Sequence, residues 1–141
     1  MRGHLPVSLL TAVGVQVLCQ LFKVALYSAR DRRLTLSWFV SAGGMPSAHS
    51  AFVTALAVSV GLWSGFASDL FAVACVFSII IIYDAWRLRG AVEHHARILA
   101  RLAPKEGVNQ RLGHSLSEIA AGIAAGGGLA AAAWLLLRAH A

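Results

Sequence analysis

A histidine and a glutamate four residues apart, His114 and Glu118, form the pair in this sequence that is best suited to chemistry. An i, i+4 spacing places two side chains on one face of a helix, within reach of each other. A carboxylate that binds one imidazole nitrogen fixes the tautomer and leaves the other nitrogen free to attack an electrophile or to bind a metal ion. A metal site would take its further ligands from His94, His95 or Asp84, and no cysteine is placed to help. We therefore favour a histidine nucleophile and predict no metal.

A second pattern, Gly43-Gly44-Met45-Pro46-Ser47-Ala48-His49-Ser50, predicts a turn that leads into a helix. Two glycines permit a tight approach of the backbone, and proline suits the first turn of a helix. The start of that helix would direct free N–H groups and the positive end of its dipole at the turn, which makes an anion site. Ser47 would add a hydroxyl donor, with His49 one step inside. The same residues also fit an ordinary Gly-Pro turn with a capping serine, and the local pattern leaves both interpretations open.

Titratable side chains from four separate segments are predicted to meet at one end of a helical bundle. Ionisable groups at membrane depth are costly, and their default interpretation is functional. Charges near loops also reach out to water, which accounts for a lysine and an aspartate but not for the two histidine motifs. The residues concerned are Lys23, His49, Asp84, His114 and Glu118.

The residues that must position these groups are strongly apolar. Hydrophobic residues make up 58% of the 141 and charged residues 13%, about half the usual share of charge, which excludes an ordinary soluble domain, a disordered chain and a disulfide scaffold. Four apolar stretches approach the roughly 20 residues that a membrane helix needs. We predict one all-α membrane domain over residues 1–141, with about four transmembrane helices at Val7–Tyr27, His49–Trp63, Phe66–Tyr83 and Leu116–Leu137.

The segment between the third and fourth stretches predicts an amphipathic helix that lies on the membrane surface. Its apolar residues recur at helical spacing among charged ones, and Pro104 and Gly107 would end it. The apolar positions are Val92, Ala96, Leu99 and Ala103.

The distribution of basic residues predicts the orientation of the chain in the membrane. Ten of the twelve lysines and arginines fall on one side of the four-helix arrangement, which predicts a cytoplasmic location for that side and both termini outside. Arginines kept for phosphate binding would imitate the same signal. The first stretch also has a signal peptide as an alternative, but Gln16, Gln20 and Lys23 interrupt the apolar core that a signal peptide requires.

Small residues in the apolar stretches predict how the helices pack. Gly122 and Gly126 are four residues apart, which favours close contact with another helix, either within the chain or in a homodimer. Cys19 and Cys75 lie within apolar stretches, where cysteine behaves as a small apolar residue, so we predict no disulfide.

Four motifs, taken together, resemble a known family. The divergent branch of the type 2 phosphatidic acid phosphatase superfamily, the acid phosphatase/vanadium-dependent haloperoxidase-related proteins, has similar motifs in the same order and spacing. The resemblance runs from about Gln20 to Gly126, and the eight-residue run is its most specific part. The motifs are Gln20-x-x-Lys23, the run from Gly43 to Ser50, Tyr83-Asp84-Ala85 and Leu112-Gly113-His114-x-x-x-Glu118.

The resemblance implies a phosphatase that uses a phosphohistidine intermediate and no metal or other cofactor. His114 would be the nucleophile, Glu118 its orienting acid, and His49 the acid that protonates the leaving group. The superfamily's third-motif serine and arginine fall on Gly107 and Val108, so Arg89 would substitute for that arginine. The implied phosphate-binding residues are Lys23, Arg30, Ser47, Ala48 and Arg89, with Asp84, Arg87 and Arg111 in support.

A site at the membrane surface suggests a lipid or isoprenoid phosphate, or a pyrophosphate, as the substrate class. We predict that it lies on the cytoplasmic face of the cell inner (plasma) membrane, in contact with membrane lipids, with no nucleic-acid partner and with a homodimer as the favoured assembly. The alternative is a non-catalytic membrane protein that binds anionic lipid head groups through the basic segment 85–111, because surface lysines and arginines attract anionic leaflets.

Overall fold

A computed structural model describes residues 6–39, 43–108 and 112–139 of the chain. Regular structure in these ranges is entirely helical, which confirms the all-α class. The long helices are α1 (Val7–Asp31), α2 (Ala48–Ser64), α3 (Asp69–Tyr83), α4 (Arg89–Leu102) and α5 (Leu116–Ala139). Short 3₁₀ turns cover Leu36–Phe39 and Pro104–Glu106.

Each of the four apolar stretches folds as a helix, but the helices differ in length. Three helical segments of the described chain are long and apolar enough to cross a membrane: α1, α5 and the continuous segment Asp69–Leu102. The fourth, α2, has only 17 residues, at the lower end of the range for a span.

The amphipathic segment is helical as predicted, but it is not a separate helix. A π-turn at Asp84–Leu88 joins α3 to α4, so that Asp69–Leu102 runs on as 34 residues. The chain between Tyr83 and Arg89 contains no proline or glycine that would stop a helix, and a π-turn absorbs an extra residue without breaking it. The helix ends at Leu102, just before Pro104. The location of α4 at the membrane surface stays a prediction.

The central helix of the bundle is α2, which packs against α1, α3 and α5. Its contacts are made by small buried residues, among them Ala48, Ala51 and Ala55, which meet Ala12 of α1 and Ala130 of α5. A buried hydroxyl adds an interhelical contact, because Ser78 Oγ on α3 lies 2.7 Å from the carbonyl of Ala74 and 3.0 Å from that of Val53 on α2, and its one proton is shared between them. Large apolar side chains instead line the outside, as expected for helices surrounded by lipid tails: examples are Leu18, Phe22, Val73, Ile79 and Leu135.

The two glycines of α5 lie against the backbone of α2. A Cβ on Gly122 would lie 2.4 Å from the carbonyl oxygen of Ser47, and a Cβ on Gly126 would lie 2.3 Å from that of Ala51. These distances leave no room for a side chain, so the glycine spacing serves close packing within the chain. These two glycines are therefore not the contact of a homodimer, and the homodimer itself stays a prediction.

Candidate active site

His114 lies in the irregular segment just before α5, and its Nδ1 is 3.0 Å from Glu118 Oε2. The two side chains meet as predicted, but not on a helical face. Glu118 Oε2 also accepts the Ser115 N–H at 3.1 Å, while Ser115 Oγ accepts the Glu118 N–H at 3.3 Å. This reciprocal pair is a capping box, in which each residue satisfies the other's free amide at the helix start. The helix cap thus holds the carboxylate where His114 can reach it.

The rest of the His114 ring is enclosed. Its side chain is 0% exposed, and Nε2 has no hydrogen-bond partner among the described residues. Burial lowers the pKa of His114, although the bond to Glu118 acts in the opposite direction. A lowered pKa keeps the imidazole neutral at physiological pH, which is the form that can act as a nucleophile.

The second histidine lies on the first turn of α2. The ring centroids of His49 and His114 are 6.3 Å apart. Arg89, Lys23 and Asp84 lie close enough to His49 to act on its charge. Residues from α1, α2, the π-turn and the start of α5 are therefore brought together at one end of the bundle, as predicted.

Lys23 is fully buried on α1. Its Nζ donates to the carbonyl of Gly43 at 3.2 Å, and it is close enough to Glu118 to interact with the carboxylate charge. This lysine therefore connects α1 to both motifs, the glycine turn and the start of α5. Arg30 lies seven residues further along α1, two helical turns on the same face, and is exposed.

Two aromatic residues that the sequence reasoning missed support the glycine turn. The hydroxyl of Tyr27 accepts the Met45 N–H at 3.1 Å, and its ring stacks on Trp38 with centroids 4.0 Å apart. Gly44 has a φ of +95°, and a Cβ there would lie 3.1 Å from the Tyr27 ring. The one feature of the sequence that could have indicated Tyr27 is its position, about one helical turn after Lys23.

Both interpretations of the turn describe part of what is seen at the start of α2. Ser47 is the buried cap: its Oγ accepts the N–H and the hydroxyl of Ser50 at 3.3 and 3.0 Å, and its own N–H donates to the carbonyl of Glu118. The next two amides, of Ala48 and His49, have no acceptor within residues 6–39, 43–108 and 112–139. These two N–H groups point from the positive end of a helix dipole. Pro46 precedes the cap instead of occupying the first helical turn.

The remaining predicted residues are placed differently from one another. Arg89 Nε donates to Asp84 Oδ2 at 2.8 Å across the π-turn, and both side chains are partly exposed. Arg30 lines an open polar cavity of about 420 Å³, whose walls include Tyr27, Gly44 and Glu118. Arg87 is exposed, with its guanidinium 5.4 Å from the ring of Trp86. Arg111 lies outside the described residues.

The residues that the sequence offers as further metal ligands are not grouped with His114 in the described part of the chain. His94 and His95 are exposed on α4. In the part of the chain that the structure describes, no three histidine, cysteine, aspartate or glutamate residues are grouped so that they could hold a metal ion.

The helical bundle and its site define a membrane protein in which a buried histidine is paired with a partly exposed glutamate beside cationic side chains. The sequence model of the divergent PAP2 family matches residues 6–129, and the chain belongs to that family. It is similar to YuiD, described as an uncharacterized membrane protein of Bacillus subtilis (strain 168), with 38% identity over 94 residues. Those residues are 67% of this chain and 60% of YuiD, so the match spans less than two thirds of that relative. No solved structure matches the chain.

Proposed function

We propose that this protein is a membrane phosphatase that hydrolyses a lipid or isoprenoid phosphate, or pyrophosphate, through a phosphohistidine on His114. The observation that carries the proposal is the state of that side chain. Its Nδ1 is bound to Glu118, its Nε2 has no partner in the described residues, and the His49 ring lies 6.3 Å away, centroid to centroid. One imidazole oriented by a carboxylate, with a second imidazole nearby, is the arrangement required for a nucleophile and an acid–base partner.

The chemistry follows from these roles. His114 Nε2 attacks phosphorus in line, the N–P bond forms, and the bond from phosphorus to the leaving oxygen breaks. Protonated His49 gives its proton to that oxygen, which belongs to the alcohol of a monophosphate or to the remaining phosphate of a pyrophosphate. Neutral His49 then accepts a proton from a water molecule, whose oxygen attacks phosphorus as the N–P bond breaks. Inorganic phosphate is released and both histidines return to their starting states.

The negative charge of the phosphate requires donors that are in place before the reaction. Lys23 and Arg89 both lie close enough to His49 and His114 to act on their charges. The free N–H groups of Ala48 and His49 add the start of α2 to this set. Arg30, in the open cavity bounded by Gly44 and Glu118, supplies the outer positive charge.

An apolar groove supports a lipid as the substrate. It encloses about 600 Å³ between α1 and α5, and Pro46, next to the Ser47 cap, forms part of its wall. Cys19 and Phe22 line it one turn or less from Lys23. A hydrocarbon tail in this groove would place its phosphate near the lysine. The other lining residues are Leu18, Leu21, Ala25, Ala125 and Leu129.

A non-catalytic protein that binds anionic head groups is the second candidate, and the ion pair of Arg89 with Asp84 favours it. An arginine already paired with a carboxylate has less charge to give to a reacting phosphate. The exposed Arg101 on α4 would then bind the lipid surface. The cytoplasmic face of the inner membrane remains the proposed location for either function.

The test is release of phosphate from a panel of lipids by purified protein in detergent. The panel contains phosphatidate, phosphatidylglycerophosphate and a polyprenyl pyrophosphate. We expect His114→Ala and His49→Ala each to reduce release at least about 10²-fold. His95→Ala, which changes an exposed histidine on α4, serves as the matched control and should leave release unchanged. Hydrolysis that persists in His114→Ala would contradict the proposal, and lipid binding that survives both substitutions without hydrolysis would favour the binding protein.

A further inference from the structure

The segment that carries His114 is held by a glutamate on another helix. Glu93 lies on α4, and its Oε2 accepts the N–H of Leu112 at 3.2 Å and that of Gly113 at 2.8 Å. The other oxygen of the same carboxylate, Oε1, pairs with Arg97, one turn further along α4. One carboxylate therefore satisfies two consecutive backbone amides of a segment that has no regular structure of its own.

The next amide of the same segment is bound as well. The N–H of His114 donates to the carbonyl of Ala85 in the π-turn at 3.2 Å. Between these bonds the two backbones touch, because a Cβ on Gly113 would lie 2.9 Å from the Cα of Gly90. Three consecutive amides, those of residues 112, 113 and 114, are thus fixed to the helical segment Asp69–Leu102.

We propose that Glu93 is a positioning residue for His114. Hydrogen bonds from amides to an ionised carboxylate are stronger than those between neutral groups, so Glu93 fixes the segment from which the imidazole projects. The role of His114 as nucleophile rests on the function proposed above. A displacement of about 1 Å at a reacting group can cost about 10²-fold in rate, so the contact matters for turnover through the position of His114.

Two substitutions of Glu93 distinguish the effect of its hydrogen bonds to the Leu112 and Gly113 amides from the effect of its ion pair with Arg97. In Glu93→Gln the amide oxygen can still accept the two N–H groups, while the ion pair with Arg97 is lost. Glu93→Ala removes both. We expect Glu93→Ala to lower kcat on the best lipid substrate about 10²-fold with little change in KM, and Glu93→Gln to restore most of the lost rate. His95→Gln, an exposed change on the same helix, is the control and should retain the parent's kcat.

Amide hydrogen exchange tests the contact without relying on activity. The Leu112 and Gly113 amides should exchange slowly in the parent and in Glu93→Gln, and much faster in Glu93→Ala, while the amides of α2 and α5 stay protected in all three. Protection of those two helices also shows that each variant is folded.

The outcomes distinguish this inference from the proposed function. Unchanged exchange at Leu112 and Gly113 in Glu93→Ala overturns the inference whatever the activity. Faster exchange with a parental kcat also overturns it, as does a Glu93→Gln variant as slow as Glu93→Ala. If the parent shows no hydrolysis that depends on His114, the proposed function fails, and the exchange data alone then decide whether Glu93 holds the segment.

Discussion

The two histidines of the site are held in place by different means. His49 stands on a helix, and that helix is located by backbone packing, since Gly122 and Gly126 of α5 let α2 approach without intervening side chains. His114 stands on a segment without regular structure, and hydrogen bonds to Glu93, Ala85 and Glu118 locate it. The difference teaches that one half of the site depends on the packing of small residues and the other on a few polar contacts. Substitutions should therefore damage the two halves in distinguishable ways.

The largest effect is expected from Glu118→Gln, because Glu118 belongs to both halves. Its backbone carbonyl accepts the Ser47 N–H and its side chain binds His114. The amide can still cap α5 but no longer stabilises the histidine as the carboxylate does. We expect kcat to fall roughly 10²–10⁴-fold, with a thermal midpoint close to that of the parent. Phosphate release and thermal unfolding in the same detergent measure both quantities, and undiminished release would show that the pair has no catalytic role.

Breaking the packed half should affect stability first. A Cβ at position 122 would lie 2.4 Å from the carbonyl oxygen of Ser47. The side chain introduced by Gly122→Leu therefore forces α2 to move away from α5. Overpacking of this kind typically costs about 1–3 kcal/mol, and activity should fall with it because His49 moves with α2. Gly128→Leu is the matched control, since a Cβ at Gly128 meets nothing within 4 Å. Equal thermal midpoints for the two variants would contradict this account of the helix contact.

The protonation of His114 as a function of pH should test the half of the site that is held by hydrogen bonds. Burial lowers the pKa of His114 and the bond to Glu118 opposes that change, so the ring should gain its proton at a pH below the usual value of about 6.5. The neutral nucleophile is then present above the folded-state pKa and is lost as the pH falls through it. In Glu118→Gln the opposing effect is gone, and the midpoint should move further toward acid. An NMR titration of the His114 ring in the parent and in Glu118→Gln measures both midpoints. A midpoint that rises in Glu118→Gln would contradict the prediction.

The smallest effect is expected where the substrate tail would lie. Ala25→Phe places a ring in the groove between α1 and α5. We expect a rise of several-fold in the KM for a long-chain lipid phosphate and a smaller one for a short-chain analogue, because burial of each CH₂ contributes about 0.8 kcal/mol. Ala72→Phe, an exposed change on α3 away from the groove, is the control. If both variants bind the two substrates as the parent does, the tail lies elsewhere.

The sequence predicted those parts of the molecule whose physics is local. Apolar runs identified α1, α2, α3 and α5, glycines four residues apart predicted a close helix contact, and the spacing of His114 and Glu118 predicted their pairing. The family resemblance drew the motifs together, and the divergent PAP2 family membership confirms it.

The parts that were missed depend on residues distant in the sequence. Glu93 meets Leu112 and Gly113 across about twenty positions, and Tyr27 meets Trp38 and Met45 across a turn of the chain. Neither contact has a periodic pattern, so composition and spacing could not reveal it. The continuity of α3 with α4 was also missed, because a π-turn leaves no recognisable residue pattern at Asp84–Leu88.

The central claim is that His114 carries the phosphoryl group during turnover. The most direct measurement mixes the protein briefly with its best substrate, labelled in the phosphate group, quenches in base, and locates the label by peptide mapping. We expect acid-labile label on His114 in the parent, and none in His114→Asn, which also fails to release phosphate. Steady hydrolysis by the parent without label at His114, or full activity in His114→Asn, would contradict it.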